Sequence, residues 1–476
     1  MIRTKIVATI GPASRPPEVL RKLIETGVDV FRLNFSHGTH EEHEAVLVDI
    51  RAISREVGTE VAVLQDLCGP KVRIGEIPGD VVDCNLGEHF WLVVERTGDD
   101  PHELTCSYEE LPRDLRAGET VLFADGTVVM TVLRASGGRA ELEVTLPGRL
   151  RSRQGINVPT SEIAVEPLTE KDLADLDWTA KHVDDIQYVG LSFVRAAEDV
   201  AGLRRELRTR RIDARIVAKI EKRSAVLGLN GIISSADALM IARGDLGVEL
   251  DVSKVPAIQK EAIALSNRAH RPVITATQML NSMEHSSRPT RAEASDVFNA
   301  VIDGTDAVML SGETAVGRYP VEAVETMRRI CAEAESFQSS EAKRQRTEGP
   351  APLSGLVQPI TEAIVDSACT AAIRLSAPVI VVSTTSGRTA LALSNRRPAA
   401  TILALTPSVE TARALELCWG VTPLVVESRS LEHEIQAATA WAKKTSIVRP
   451  GSHVVLVRGE VPGDISSRTV TARRLK

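Results

Sequence analysis

The 476-residue sequence is poor in cysteine. Its six, at positions 68, 84, 106, 331, 369 and 418, form no Cys-x-x-Cys pair. That spacing excludes a dense disulfide scaffold and a cysteine zinc site, and it suits a reducing compartment. No apolar run approaches the ~18 residues that a membrane-spanning helix needs. The short apolar run after Lys5 is broken at Gly11-Pro12, too early for a secretory signal. A cytoplasmic protein with no membrane partner is the expectation. Excess positive charge is also lacking: 57 Lys+Arg stand against 64 Asp+Glu, a formal charge of −7. No global field gathers nucleic acid, so an anionic substrate must meet a local positive site. Nor is there a G-x-x-x-x-G-K-[ST] run, so a bound nucleotide would not rest in a P-loop.

What is present is an ordinary core-forming composition, 43% hydrophobic and 25% charged, in a chain long enough for about three domains. Eight short β-branched runs, starting at Lys5, Asp29, Val61, Tyr188, Ile216, Leu239, Val273 and Val308, alternate with amphipathic segments. Nearly continuous apolar runs suit strands buried on both faces of a parallel sheet. Thr39-x-x-Glu42 and Thr290-x-x-Glu293 read as capping boxes that open helices. Strand then helix, eight times, predicts a (β/α)8 TIM barrel. Val61 and Tyr188 lie 127 residues apart, whereas the other six intervals run from 23 to 35. The excess is an insertion after the third strand. There HFWLVVER, TVLFADGTVVMTVL and RAELEVTL alternate with period two around turns such as Asp125-Gly126. A small β-barrel lid domain is expected. A polar linker, Ser339 to Gly355, then leads to an open α/β domain with a helix at Thr361–Leu375 and a VIVVS strand. The expected division is barrel 1–69, lid 70–167, barrel 168–340 and C-terminal α/β regulatory domain 341–476.

Polar residues on buried strands carry the chemistry. Arg32, Asn34 and Ser36 share a face by period two, as do Lys219 and Glu221. Asp66, Arg243-Gly244-Asp245, Thr277-Gln278 and Ser311-Gly312-Glu313 close other strands. All fall at the strand C-terminal ends, where this architecture builds active sites. Singly, each has a structural reading: an ion pair for Lys219 with Glu221, a loop carboxylate for Arg32, a helix cap for Asp245, a turn and cap for Ser311. Together they are not required for folding, and burying an unpaired ion costs several kcal/mol. Two carboxylates, Glu221 and Asp245, without histidine or cysteine suit Mg²⁺ sharing its shell with substrate oxygens and water. Arginines and a lysine beside them suit a phosphorylated anion.

TIGPAS (9–14), RLNFSHGTH (32–40), GPKVR (69–73), AKIE (218–221), ARGDLGVE (242–249), ATQML (276–280) and LSGETAVGRYP (310–320) resemble the pyruvate kinase family, in order and essentially end to end. The resemblance implies phosphoryl transfer from phosphoenolpyruvate to ADP, giving pyruvate and ATP. It makes Glu221 and Asp245 the Mg²⁺ ligands, with Mn²⁺ as a substitute. Lys219 becomes the charge stabiliser and Arg32 the phosphate holder. Gly244 and Asp245 meet the substrate, and Thr277 and Ser311 belong to the proton relay. Asn34, His37, Arg73 and the residue at 154 meet the nucleotide. A homotetramer is implied too. A Mg²⁺-dependent aldolase acting on a pyruvate enolate would share the carboxylates but need no lid or effector domain. A catalytically inactive metabolite sensor would be expected to lack Lys219, Glu221 or Asp245.

Two positions depart from many relatives. Lys71 stands where potassium-dependent members carry glutamate, and Leu67 where they carry threonine. Asn34, Ser36, Asp66 and the Leu67 carbonyl could form a potassium cage, but the Lys71 ammonium disfavours K⁺. Activity without K⁺ is expected. Gln154 replaces a nucleotide-contacting lysine. In the C-terminal domain, Ser383, Thr385, Ser386, Gly387 and Thr389 lie between a strand and a helix start. By the resemblance they are candidates for holding a phosphorylated effector.

Overall fold

The computed structural model describes residues 2–159, 166–342, 359–427, 430–445, 447–449, 451–458 and 469–474. Most of the expected linker, 343–355, lies outside them. Eight parallel strands close a barrel: β1 Lys5–Thr9, β2 Val30–Asn34, β3 Ala62–Asp66, β4 Tyr188–Leu191, β5 Arg215–Ile220, β6 Ala238–Ala242, β7 Val273–Ala276 and β8 Ala307–Leu310. Each pairs with its neighbours in sequence, and β1 closes the ring on β8 with Val7 opposite Met309. The insertion leaves the ring intact, since β3 and β4 pair with Gly190 opposite Asp66.

Alternation sorts each strand. Val7, Val30, Leu64, Tyr188, Val217, Met240 and Ile274 fill the barrel's interior. Ile6, Phe31, Val63, Val189, Ile216 and Leu239 pack outward against the helices. The helices begin and end where local chemistry says they should. Thr39 and Thr290 close capping boxes with Glu42 and Glu293, and Gly58 and Gly304 end those two helices in the left-handed conformation.

The insertion folds around its own apolar core, centred on Phe90, Phe123, Met130 and Leu142. Its strands form a six-stranded sheet, in the order 156–157, 120–123, 128–136, 139–146, 89–93, 103–104, and a separate pair, 148–151 with 81–84. Asp125 and Gly126 both take positive φ, as a tight hairpin turn requires. The C-terminal sheet runs 421–425, 401–406, 379–383, 453–458, 469–474, with only the last strand antiparallel. A short helix from this domain, Val409–Leu415, faces the barrel's N-terminal end. Ala414 and Leu417 there join the barrel's interior core.

Candidate active site

The inward period of the strands brings the expected polar residues to one mouth. Lys219 extends the inward row of Val217, and Asp66 that of Leu64. Arg32 extends the row of Val30. Lys219 Nζ lies 2.9 Å from Glu221 Oε1 and 3.2 Å from Asp66 Oδ1. Arg32 Nε donates to Asp66 Oδ2 at 2.6 Å, and its Nη1 donates to Thr9 Oγ1 at 3.1 Å. Asp66 sits flush against Gly190, where a Cβ would stand 3.0 Å from Asp66 Oδ1. These charges are buried, with Lys219 8% and Glu221 1% exposed, so their mutual fields are strong.

Electrostatics fix the charge states. Burial raises the Asp66 carboxyl, but Lys219 and Arg32 outweigh it and hold the group below its ordinary value. Burial likewise lowers the Lys219 ammonium, and Asp66 and Glu221 overcome it and hold the group above its ordinary value. Glu221 goes the other way: burial pushes it up, Lys219 opposes, and the nearby Asp245 carboxylate pushes it further. Asp245 keeps 29% of its side chain exposed at the mouth. Among the described residues no third His, Cys, Asp or Glu joins these two carboxylates in a metal cluster. The donor set therefore fits Mg²⁺, a hard cation that takes one or two carboxylates and completes its shell with substrate and water.

The far wall is set by strain. Thr277 and Gln278 take φ of +66° and +56°, unusual for side chains of this kind. Arg243 holds that corner by donating to the Thr277 carbonyl at 2.8 Å, and it pairs with Asp296 at 2.7 Å. Arg243-Gly244-Asp245 do not extend β6 but open the short helix Arg243–Glu249. The Gly244 N–H donates to Thr277 Oγ1 at 2.7 Å, so in this conformation it is spent within the protein. Ser311 follows β8 with a buried hydroxyl that has no hydrogen-bond partner among the described residues.

On the insertion's side, Ser36 lies past the end of β2 in a turn, where its N–H donates to Asn34 Oδ1 at 3.2 Å. Burial lowers the His37 imidazole, and the charges of Arg73, Arg32 and Lys71 lower it further. Lys71 Nζ lies 3.6 Å from Asp125 and 3.9 Å from Asp245, reaching between insertion and barrel. Arg73 Nη1 donates to the Arg153 carbonyl at 3.1 Å, and Gln154 Oε1 accepts from the Arg151 N–H at 2.8 Å.

Sequence reasoning missed Ser192, Phe193 and Thr9. Ser192 follows β4 on the inward row of Tyr188 and Gly190. It was legible as the one polar exception in YVGLSF by the same period that found Lys219. Ser192 Oγ accepts from Lys219 Nζ at 2.8 Å and donates to the Leu67 carbonyl at 2.7 Å.

In the C-terminal loop, Thr385 and Ser386 are exposed and Thr389 is half-buried. Gly387 takes φ +80° at the start of helix Arg388–Asn395. Ser383 is buried, and its hydroxyl donates to the buried Glu434 carboxylate.

A closed eightfold barrel with an insertion after the third strand, and a mouth that gathers Asp66, Glu221 and Asp245 with Lys219 and Arg32, has the form of a barrel enzyme with its active site at the strand C-terminal ends. The comparisons agree. Residues 1–324 match the family model "Pyruvate kinase, barrel domain", and residues 362–471 match "Pyruvate kinase, alpha/beta domain". Pyruvate kinases of Staphylococcus aureus strains MRSA252 and USA300 are each 38% identical over 469 residues, covering 98% of this chain and 79% of the relative's length. A crystal structure of a pyruvate kinase from Cryptosporidium parvum superposes with a TM-score of 0.90 at 34% identity, covering 100% of this chain and 96% of that one. The chain belongs to the pyruvate kinase family, and it is a phosphotransferase. No helix of the described residues is long and apolar enough to cross a membrane.

Proposed function

We propose that this chain transfers the phosphoryl group of phosphoenolpyruvate to ADP at the barrel mouth, in the cytoplasm, as a homotetramer divided at the residues given above. The observation that carries the reading is the junction of Lys219, Glu221, Asp66 and Arg32, with Asp245 facing Glu221. The bond between phosphorus and the enol oxygen breaks, the β-phosphate oxygen of ADP takes the phosphoryl group, and the enolate gains a proton at carbon to become pyruvate. Glu221 and Asp245 would hold Mg²⁺ or Mn²⁺, which supplies charge neutralisation for phosphoryl and enolate oxygens. Arg32, anchored by Asp66 and Thr9, presents its remaining guanidinium edge to the phosphate. Lys219 Nζ lies 2.8 Å from Ser192 Oγ, 2.9 Å from Glu221 Oε1 and 3.2 Å from Asp66 Oδ1, and its positive charge stabilises a substrate oxygen as charge develops there. Gly244 and Asp245 flank the substrate carboxylate. Thr277, beside Gly244, and Ser311, whose hydroxyl has no partner among the described residues, supply polar groups for delivery of the proton. Arg73, His37, Asn34 and Gln154 face the nucleotide.

The atoms of the potassium cage are already engaged within the protein. Leu67 O takes the Ser192 hydroxyl, Asn34 Oδ1 takes the Ser36 N–H, and Asp66 pairs with two cations. That supports activity without K⁺. The loop at Thr385, Ser386, Gly387 and Thr389, exposed at Thr385 and Ser386, is the place for a phosphorylated effector, with Ser383 behind it. A lactate dehydrogenase-coupled assay with phosphoenolpyruvate, ADP and Mg²⁺ tests the reading. We expect turnover that survives replacement of K⁺ by tetramethylammonium. No turnover refutes the reaction, and loss of more than nine-tenths of the rate without K⁺ refutes the cation-free reading alone.

A further inference from the structure

The corner Ser192-Phe193, which follows β4, touches no substrate in the reaction as described. Its backbone passes through φ +55° at Phe193, a region bulky side chains rarely enter. Several contacts hold it there. Phe193 N–H donates to Glu221 Oε2 at 2.6 Å. The Ser192 hydroxyl sits between Lys219 Nζ and the Leu67 carbonyl. Gly69 backs onto both residues: a Cβ there would stand 2.8 Å from Ser192 Cβ and 3.0 Å from the Phe193 ring. Gly69 is where the chain leaves the barrel for the insertion. Its N–H donates to Asp172 Oδ1 at 3.1 Å, and Asp172 Oδ2 accepts the N–H of Thr169, where the chain returns, at 2.8 Å. One buried carboxylate thus ties both connections of the insertion together, directly behind the corner that touches Lys219 and Glu221.

We propose that Ser192 is a positioning residue, whose hydroxyl fixes the direction of the Lys219 ammonium against the end of β3 and so aligns it with the root of the insertion. The proposal rests on the reading of Lys219 as the charge stabiliser. Asp66 and Glu221 keep Lys219 charged whether or not Ser192 is present. The neutral hydroxyl adds direction, and misdirection of a charge by a fraction of an ångström is felt only in the transition state.

The test is steady-state kinetics of the full chain carrying Ser192→Ala, beside Lys219→Met. The expected result for Ser192→Ala is kcat about tenfold lower, with KM for phosphoenolpyruvate and half-saturation by Mg²⁺ within about twofold, a loss made only in the transition state. Ser192→Cys, close in volume and a weaker hydrogen-bonding group, should lie between the two. Loss in Lys219→Met together with a Ser192→Ala kcat within twofold of the parent overturns the role of Ser192. Full activity in Lys219→Met instead overturns the reading of Lys219. Should Ser192→Ala not fold, Ser192→Cys carries the measurement. Failure of both to fold makes Ser192 a packing residue and overturns the proposal equally.

Discussion

The two ends of the barrel are both crowded with charge and use it in opposite ways. At the strand N-termini, Lys5 is shared between Asp29 at 2.9 Å and Glu416 at 3.0 Å. Arg413 reaches Glu60 at 2.8 Å and Asp185 at 3.4 Å, and Arg397 reaches Asp306 at 3.2 Å. Each joins the barrel to the C-terminal domain, and the Tyr188 hydroxyl adds a hydrogen bond to the Ala414 carbonyl at 2.6 Å. These ions finish an interface that Ala414 and Leu417 fill with apolar contact. At the other end the set is left open, with Asp245 part-exposed and the Ser311 hydroxyl without a hydrogen-bond partner among the described residues. Burial and ion pairing are common to both ends. What distinguishes them is what the incomplete groups face: the Arg397 guanidinium, whose Nε and Nη1 have no hydrogen-bond partner among the described residues, lies over the Trp419 ring inside the interface, whereas Asp245 opens to the barrel mouth.

The largest effect is expected from breaking the open end. Lys219→Met should lower kcat by at least about 10²–10³, the typical loss of one charge stabiliser, while Mg²⁺ still raises the thermal midpoint. A variant retaining a tenth of the parent's kcat would show that Lys219 belongs with the structural pairs. The matching change at the closed end is Lys5→Met, which strands Asp29 and Glu416 in a buried interface. Its expected cost is about 3–5 kcal/mol of stability in urea unfolding, with kcat within threefold of the parent. Loss of kcat without loss of stability would dissolve the contrast between the ends.

The open end was largely legible in the sequence and the closed end was not, for a physical reason. Arg32, Lys219, Glu221 and Asp66 interrupt apolar strands, and period two assigns their face without knowledge of their neighbours. The barrel itself follows from the same runs, and the insertion from one long interval. Lys5 and Asp29 sit at strand starts, where a charge is unremarkable. Lys5's other partner, Glu416, is 411 residues away and is set there only by packing of the C-terminal domain. Ser192 lies between these cases. Its period was visible, but a lone serine carries little signal until Lys219 and the Leu67 carbonyl are seen on either side. The Gly244 N–H shows the limit from the other direction: a helix start invites an anion, and the fold has turned it toward Thr277.

The smallest predicted effect sharpens the comparison through pH. Burial pushes the Glu416 carboxyl up to about 7 from an ordinary value of 4.5; Lys5 opposes this, and Asp29 and Glu60 add to it. The unfolded chain therefore releases this proton near pH 4.5 and the folded chain near pH 7. Between those values the folded state binds more protons, so this group makes stability fall as pH rises, with no further change once both states are ionised. Lys5 is held above its ordinary value and stays charged throughout that window, contributing no slope of its own. Glu416→Gln keeps the shape of the neutral acid and removes the proton. The difference in thermal midpoint, variant minus parent, should rise steadily from pH 4.5 to 7 and level off above it. A difference that is flat or falls across that range would mean Glu416 is ionised in its pair with Lys5 well below pH 7. The closed end would then hold a full salt bridge rather than an ammonium beside a neutral acid.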